Sequence, residues 1–572
     1  MSLSMQMKAL RNKVIALVAI VVLVATASLT TAQEAQTNRF TYTTAEPGYV
    51  KNLIVMIPDG CGPTHITAAR WYKGGELALD RMPSGMIRTY GADSIISDSA
   101  PAATAIATGY KTSDKHVGVL PGPVTISGLP QVPENKQYKP VATVLEAAKM
   151  RGMSVGIVAT SNVQHATPAA FTSHWHDRGN YNEIGEQQVY ADIDVVFGGG
   201  KQYLLPVAEG GKRTDGENLI EVLKGRGYTF VETREQLLSL SPSKTKVWGL
   251  FANDAMARDF DRSLPAHAHE PSLAEMTQMA ISILSKNPRG FFLMVEGSMI
   301  DWSSHANDPV GVISEVLAFD AAVKVALDFA EQNKRTQVLA FTDHGNGGMS
   351  IGSSKTDHTY SKLPDAALVV PLAKAKLTGT GLGEVMEKNA NASTIRQIME
   401  QYYGVPSNAL TDADIVAIRA ARNVSSDLSY TVGPIISKLS VIGWTTTGHT
   451  GEDVPLYSFG PNRPIGLFEN TDLARIVESN LRLNLASTDE KLYAEASSLF
   501  ASIGATINII PGANGVMQVE KDGATLAIFH FAKDVAIVNG QWHTMNGVVI
   551  YSQKTGKVYL PTEALKLVKF AS

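Results

Sequence analysis

The chain has 572 residues, 44% of them hydrophobic and 18% charged, with 50 basic against 54 acidic side chains and a single cysteine, Cys61. A formal net charge of -4 with no basic stripe gives a nucleic-acid backbone nothing to bind, one cysteine excludes an internal disulfide, and the hydrophobic share excludes disorder as the default. The length exceeds what one hydrophobic core fills, so one large domain with insertions, or two to three domains, is expected.

Lys8, Arg11 and Lys13 precede an apolar run at residues 14–24, and the small residues at 25–27 and 30–32 suit a signal peptidase. The run is shorter than the ~20 residues a spanning helix needs, so residues 1–32 read as a signal peptide and the protein as exported, to the periplasm, the medium or the cell surface. Core packing, metal or oligomerisation then replaces a disulfide framework outside the cell. From residue 50, apolar strand-like runs alternate with helical periodicity. A strand is predicted at 51–57, ending at Pro58-Asp59-Gly60, then a helix at 144–150 closed by Gly152 and a strand at 154–159. Leu273, Met276, Ala280, Ile283 and Leu284 share one face of a helix begun near Ser272, and strands follow at 290–295, 337–341 and 455–459. This recurrence predicts an α/β fold, a doubly wound and mainly parallel sheet with helices on both faces. Residues 201–270 are more polar and read as an excursion, and residues 346–445 as an inserted subdomain. Near residue 486 the pattern changes to short β-rich runs, at 535–538, 547–551 and 557–560, separated by Asn-Gly and Thr-Gly turns. They predict a small C-terminal domain over residues 486–572.

Ligands in such sheets bind beyond the carboxyl ends of the strands, where Asp59, Glu296 and the pair Asp343-His344 are predicted to lie. If Trp302 begins a helix, Asp301 and His305 project from one side of it, so a carboxylate and an imidazole can meet one ion. His449, in Thr447-Gly448-His449-Thr450-Gly451, offers a third ligand, and Asp59, Asp343 and His344 can hold a second ion. A set rich in carboxylate and without thiolate points to catalysis. In Asp98-Ser99-Ala100-Pro101, Pro101 and the alanines open a helix and leave Ser99 at its N-terminus, where backbone N–H groups favour an anion. Beside a metal pair, Ser99 reads as an activated nucleophile.

Taken together, these motifs resemble the alkaline phosphatase family. The resemblance rests on Asp59-Gly60, Asp98-Ser99-Ala100, residues 165–170 (His-Ala-Thr-Pro-Ala-Ala), Val295-Glu296-Gly297 followed by Asp301 and His305, Asp343-His344, and His449-Thr450-Gly451, and spans residues 48–480. It implies a catalytic domain over 48–485, with a crown-type insertion at 346–445, that hydrolyses phosphate monoesters through a phosphoserine intermediate on Ser99. It further implies one zinc on Asp301, His305 and His449, a second on Asp59, Asp343, His344 and Ser99, and a third ion, usually magnesium, on Asp59, Thr167 and Glu296. Arg178 aligns with the arginine that grips two phosphate oxygens. His165 and Trp302, beside the third site, replace the Asp and Lys of some bacterial enzymes, and an imidazole leaves zinc open as the third ion. A homodimer is implied by family analogy. A sulfatase would need arginine where Ala103 stands. The C-terminal segment weakly resembles a copper amine oxidase N-terminal-like stalk domain, without a copper site, which leaves envelope attachment or simple packing as its role.

Overall fold

The computed structural model describes residues 43–569 apart from Pro242, so the segment expected to act as a signal peptide lies outside the described residues. The main sheet is built on four adjacent parallel strands, β1 (Asn52–Pro58), β2 (Ser154–Asn162), β3 (Phe291–Gly297) and β4 (Thr336–Phe341), in the order β4-β1-β3-β2. All but the first residue of β2 are buried, as expected for Val- and Ile-rich runs covered by helices on both faces. Two of the covering helices are α1 (Leu273–Leu284) and α2 (Pro309–Gln332), whose apolar faces join Ile54, Met56, Leu293 and Val295 in one core. A capping box starts α1: Ser272 accepts from Glu275 N, and the Glu275 carboxylate accepts from Ser272 N.

The sheet reaches eleven strands and is mixed. Strand Val454–Phe459 runs antiparallel to both β4 and Pro83–Arg88, a reversal that the apolar pattern does not encode. The polar stretch at 201–270 is only in part an excursion, because Thr229–Val231 and Val247–Leu250 pair in parallel at one sheet edge. Residues 346–445 add no strand to the main sheet. They form helices packed on the Leu382, Met399, Tyr403 and Ile418 side of the core. Two short antiparallel ribbons close the neck of this insertion: Ser350–Ile351 pairs with Ile442–Gly443, and Gly345–Asn346 with His449–Thr450.

Beyond residue 493 the chain forms a five-stranded and a three-stranded antiparallel sheet around a core of its own, with Phe500, Met517, Phe529 and Val558. The strand expected at 547–551 is shorter, Ile550–Ser552. Its first part is drawn off the ladder because Val549 exchanges backbone hydrogen bonds with Ala532 and Lys533 instead. Among the described residues, no helix is long and apolar enough to cross a membrane.

Candidate active site

The carboxyl ends of the four central strands deliver the site. Asp59 follows β1, Glu296 is the second-to-last residue of β3, and Asp343 and His344 follow β4. Asp301 and His305 sit one helical turn apart on the short helix Met299–His305, which begins three residues before Trp302 and ends at His305, rather than beginning at Trp302 as expected. The pairing Asn346↔His449 carries His449 from beyond the insertion to within two residues of His344 across the ribbon. Ser99 is the first residue of helix Ser99–Thr108, whose N-cap Asp98 accepts from Ala100 N. Gly60, at φ +66°, is required here: a Cβ would stand 2.6 Å from Asp301 Oδ1.

Three imidazoles converge, and their outer nitrogens fix their protonation. His305 Nδ1 lies 2.6 Å from Thr447 O, His449 Nδ1 2.8 Å from Ser97 O and His344 Nδ1 3.2 Å from Gly345 O. A carbonyl only accepts, so each Nδ1 carries a proton and each Nε2 faces inward, where the neutral ring presents a lone pair. The His305 and His449 Nε2 atoms are 3.2 Å apart and face the two oxygens of Asp301, at 3.3 and 3.5 Å. His344 Nε2 lies 3.1 Å from Asp343 Oδ2, 3.6 Å from Asp59 Oδ1 and 3.1 Å from Ser99 Oγ. Lone pairs and carboxylate oxygens pointed at one another in this way are stable around cations. Backbone carbonyls at Nδ1 are the outer partners that hold an imidazole in place for a metal at Nε2.

A third set adjoins these. Asp59, His165 and Glu296 bring ligand atoms within 4.8 Å of one another. Thr167 Oγ1 is 3.5 Å from Asp59 Oδ2, and the Trp302 indole is edge-on to the His165 ring at 5.7 Å. Asp59 Oδ1 and Glu296 Oε1 are buried with no hydrogen-bond partner. Burial and the neighbouring carboxylates Asp343, Asp301 and Glu296 push the Asp59 carboxyl well above its ordinary range, and burial, reinforced by Asp343, takes Glu296 up to about 7. Burial opposes but does not outweigh Asp343, so His344 rises to about 9: without a cation its Nε2 holds a proton among the carboxylates, in the place an ion would take. Four buried carboxylates with so little positive protein charge among them fit resident metal ions.

Arg178 supplies that little. Its Nη1 donates to Asp98 Oδ1 at 2.6 Å, and its Nη2 to His165 Nε2 at 2.8 Å. Burial and this guanidinium take His165 down to about 3, so its ring is neutral. An open cleft of about 310 Å³, lined by Ser97, Asp98, Pro101, Asp114 and His449, lies beside the start of the Ser99 helix.

Residues 50–483 match the family described as alkaline phosphatase. The chain belongs to the alkaline phosphatase family. It is 37% identical to alkaline phosphatase 3 of Bacillus subtilis over 77% of this chain and 91% of that one. The cold-active alkaline phosphatase of Shewanella superposes with a TM-score of 0.63 at 30% identity, over 75% of this chain and 99% of that one. A histidine-to-aspartate mutant of the TAB5 alkaline phosphatase, with magnesium bound in its M3 site, superposes at 0.54 and 26% identity, over 77% and 100%. This alkaline phosphatase therefore hydrolyses phosphate monoesters and binds metal, and its clustered carboxylates and imidazoles are the candidate ligands.

Every residue singled out from the sequence lies in this one region. The sequence reading missed the supporting groups. Asp98 holds Arg178, Ser161 Oγ lies 3.5 Å from Glu296 Oε2, and Asn346 Nδ2 donates to Asp301 Oδ1 at 2.7 Å. Asp98 stood in the quoted motif beside Ser99, and its carboxylate was the signal available. Nothing local marks Asn346, whose partner comes from a different strand end.

Proposed function

We propose that Ser99 is the nucleophile of a two-step phosphate monoester hydrolysis, with two zinc ions on the Asp301–His305–His449 and Asp59–Asp343–His344 groups and a third ion, magnesium or zinc, at Asp59, Thr167 and Glu296. The observation that carries this reading is Ser99 Oγ at a helix N-terminus, 3.1 Å from the inward Nε2 of His344. When bound, the zinc ions lower the cost of an alkoxide and of hydroxide at neutral pH and neutralise the phosphate.

The chain's own residues do the rest. Ser99 Oγ forms the new bond to phosphorus as the ester P–O bond breaks and the alcohol leaves. Water then attacks the phosphoserine, which releases inorganic phosphate and returns the Ser99 hydroxyl. The amide groups at the start of the Ser99 helix favour the anion throughout. The planar fork of Arg178, held by Asp98, suits two phosphate oxygens. With recognition confined to phosphate, the organic half of the ester matters little. Export through residues 1–32, a homodimer joined near 346–445 and envelope attachment by the C-terminal segment complete the reading. Deletion after Ser487 with unchanged location would remove the last of these.

The test compares a phosphate monoester, a diester and a sulfate ester, before and after chelation and in Ser99→Ala. The monoester should be the best substrate, chelation should abolish its turnover, and Ser99→Ala should cost about 10³-fold or more in kcat. A better diester or sulfate ester, or indifference to chelation, contradicts it.

A further inference from the structure

The segment beyond the family match reaches the loop that carries Arg178. Tyr493, the C-cap of helix Leu485–Leu492, is buried at 3% exposure, and its hydroxyl bonds both the Glu146 carboxylate and His174 Nε2. His174 Nε2 also lies 3.1 Å from that carboxylate, and its Nδ1 donates to Gly118 O at 2.7 Å. The three side chains thus form one closed network, buried at Tyr493 and His174 and part-buried at Glu146, where the low dielectric around the two rings strengthens their bonds.

His174 opens the run that ends at Arg178. Trp175 and Val117 exchange backbone hydrogen bonds at 2.8 and 2.9 Å, and Arg178 N donates to Lys115 O at 2.9 Å. Residues 115–118 are in turn fixed on the nucleophile helix: Thr104 Oγ1 accepts from Gly118 N at 3.0 Å and donates to His116 O at 3.1 Å. One side of the Arg178 ribbon is therefore tied to the helix of Ser99, and the other is closed by Tyr493. The C-terminal sheets face the same ribbon across a cavity of about 330 Å³ that Trp175, Tyr551 and Gln553 line. Lys533 pairs with Glu217 at 2.8 Å, and Arg226 with Asp534 at 2.7 Å, which holds the segment against the catalytic domain.

We infer that Tyr493 is a positioning residue for Arg178: through His174 and Glu146 it fixes the ribbon at 174–178 and thereby sets the affinity for the phosphate group. The inference rests on the reading of Arg178 as the phosphate-binding fork. A guanidinium gains from two parallel hydrogen bonds only when its plane is held in place, and small displacements of positioning groups cost large factors in binding and rate. The C-terminal segment then serves phosphate binding through the ribbon that Tyr493 fixes.

The experiment measures KM and kcat for an aryl phosphate monoester, and Ki for inorganic phosphate, in wild type, Tyr493→Phe, Arg178→Ala and the double variant, all as full-length metal-loaded protein. Tyr493→Phe keeps the ring and removes only the hydroxyl. It should raise KM and Ki about fivefold to tenfold with a smaller change in kcat. In the Arg178→Ala background the same substitution should change Ki less than about twofold, because the group it acts through is gone. A folded Tyr493→Phe protein with unchanged Ki, or an equal loss in both backgrounds, overturns the inference. If Tyr493→Phe does not fold, Glu146→Gln is read in its place against the same two criteria. Should Arg178→Ala itself leave Ki unchanged, the underlying reading of Arg178 fails, and that result is distinct from a failure of Tyr493 alone.

Discussion

His165 lies beside two buried carboxylates, Asp59 and Glu296, and accepts from Arg178 through Nε2. A neutral imidazole has one lone pair, here on the Nε2 that faces Arg178; an ion that takes this lone pair from the guanidinium gains a borderline nitrogen beside the carboxylate oxygens, which favours zinc over magnesium. His165→Asp should therefore strengthen magnesium's hold on the third site, about tenfold in the concentration that gives half-maximal stimulation. Magnesium titration of chelated, zinc-reloaded enzyme reads this directly, and an unchanged response would falsify the assignment of His165 to the third site. At this scale the sequence was informative, because Asp59, Glu296, Asp343 and His344 each end an apolar run, and Asp301 and His305 are one helical turn apart. What it concealed were partners supplied from afar. The Asp98–Arg178 contact spans 80 positions and the Asn346–Asp301 contact 45, and neither leaves a periodicity to read.

Among the elements, the ribbon between residues 115–118 and 174–178 carries the next prediction. Burial lowers the pKa of His174, but the Glu146 carboxylate and its hydrogen bond outweigh it, so the folded-state value is raised above the usual 6.5. The same pair, working against burial, lowers Glu146. A histidine raised in this way contributes stability that is complete below its unfolded pKa and lost as pH climbs through the folded one. The stability gap between wild type and His174→Asn should thus be widest in weak acid and narrow toward alkaline pH. Denaturant melts at a series of pH values measure it, and a gap that widens with rising pH contradicts the ion pair. Central strands and capped helices were legible here, since Ser272 with Glu275 and the buried runs are local signals. The helix Met299–His305 begins three residues ahead of Trp302 because it follows β3 with a lone Ser298 between them, leaving no loop to mark its start. The strand at 547–551 was too long because backbone partners from 532–533, not the local β pattern, claim Val549.

Across the whole molecule, strand order and direction were the least legible features. Alternating apolar runs announce a covered sheet but not that Val454–Phe459 enters it antiparallel, nor that the polar stretch before residue 270 supplies edge strands. The neck of the insertion matters most to the proposed chemistry, because the ribbon of Gly345–Asn346 with His449–Thr450 brings together candidate ligands more than a hundred residues apart. The sole cysteine, Cys61, is buried and its pKa is raised by that burial, so neither a disulfide nor a reactive thiol enters the account. All of these contacts serve one claim, that phosphate passes through Ser99. Acid quenching of the metal-loaded enzyme during turnover of a phosphate monoester, followed by mass spectrometry of its peptides, tests it most directly. The account predicts a phosphate on Ser99, absent from Ser99→Ala and from chelated enzyme. Full turnover with no phosphate on Ser99, or with phosphate on another side chain, would contradict it.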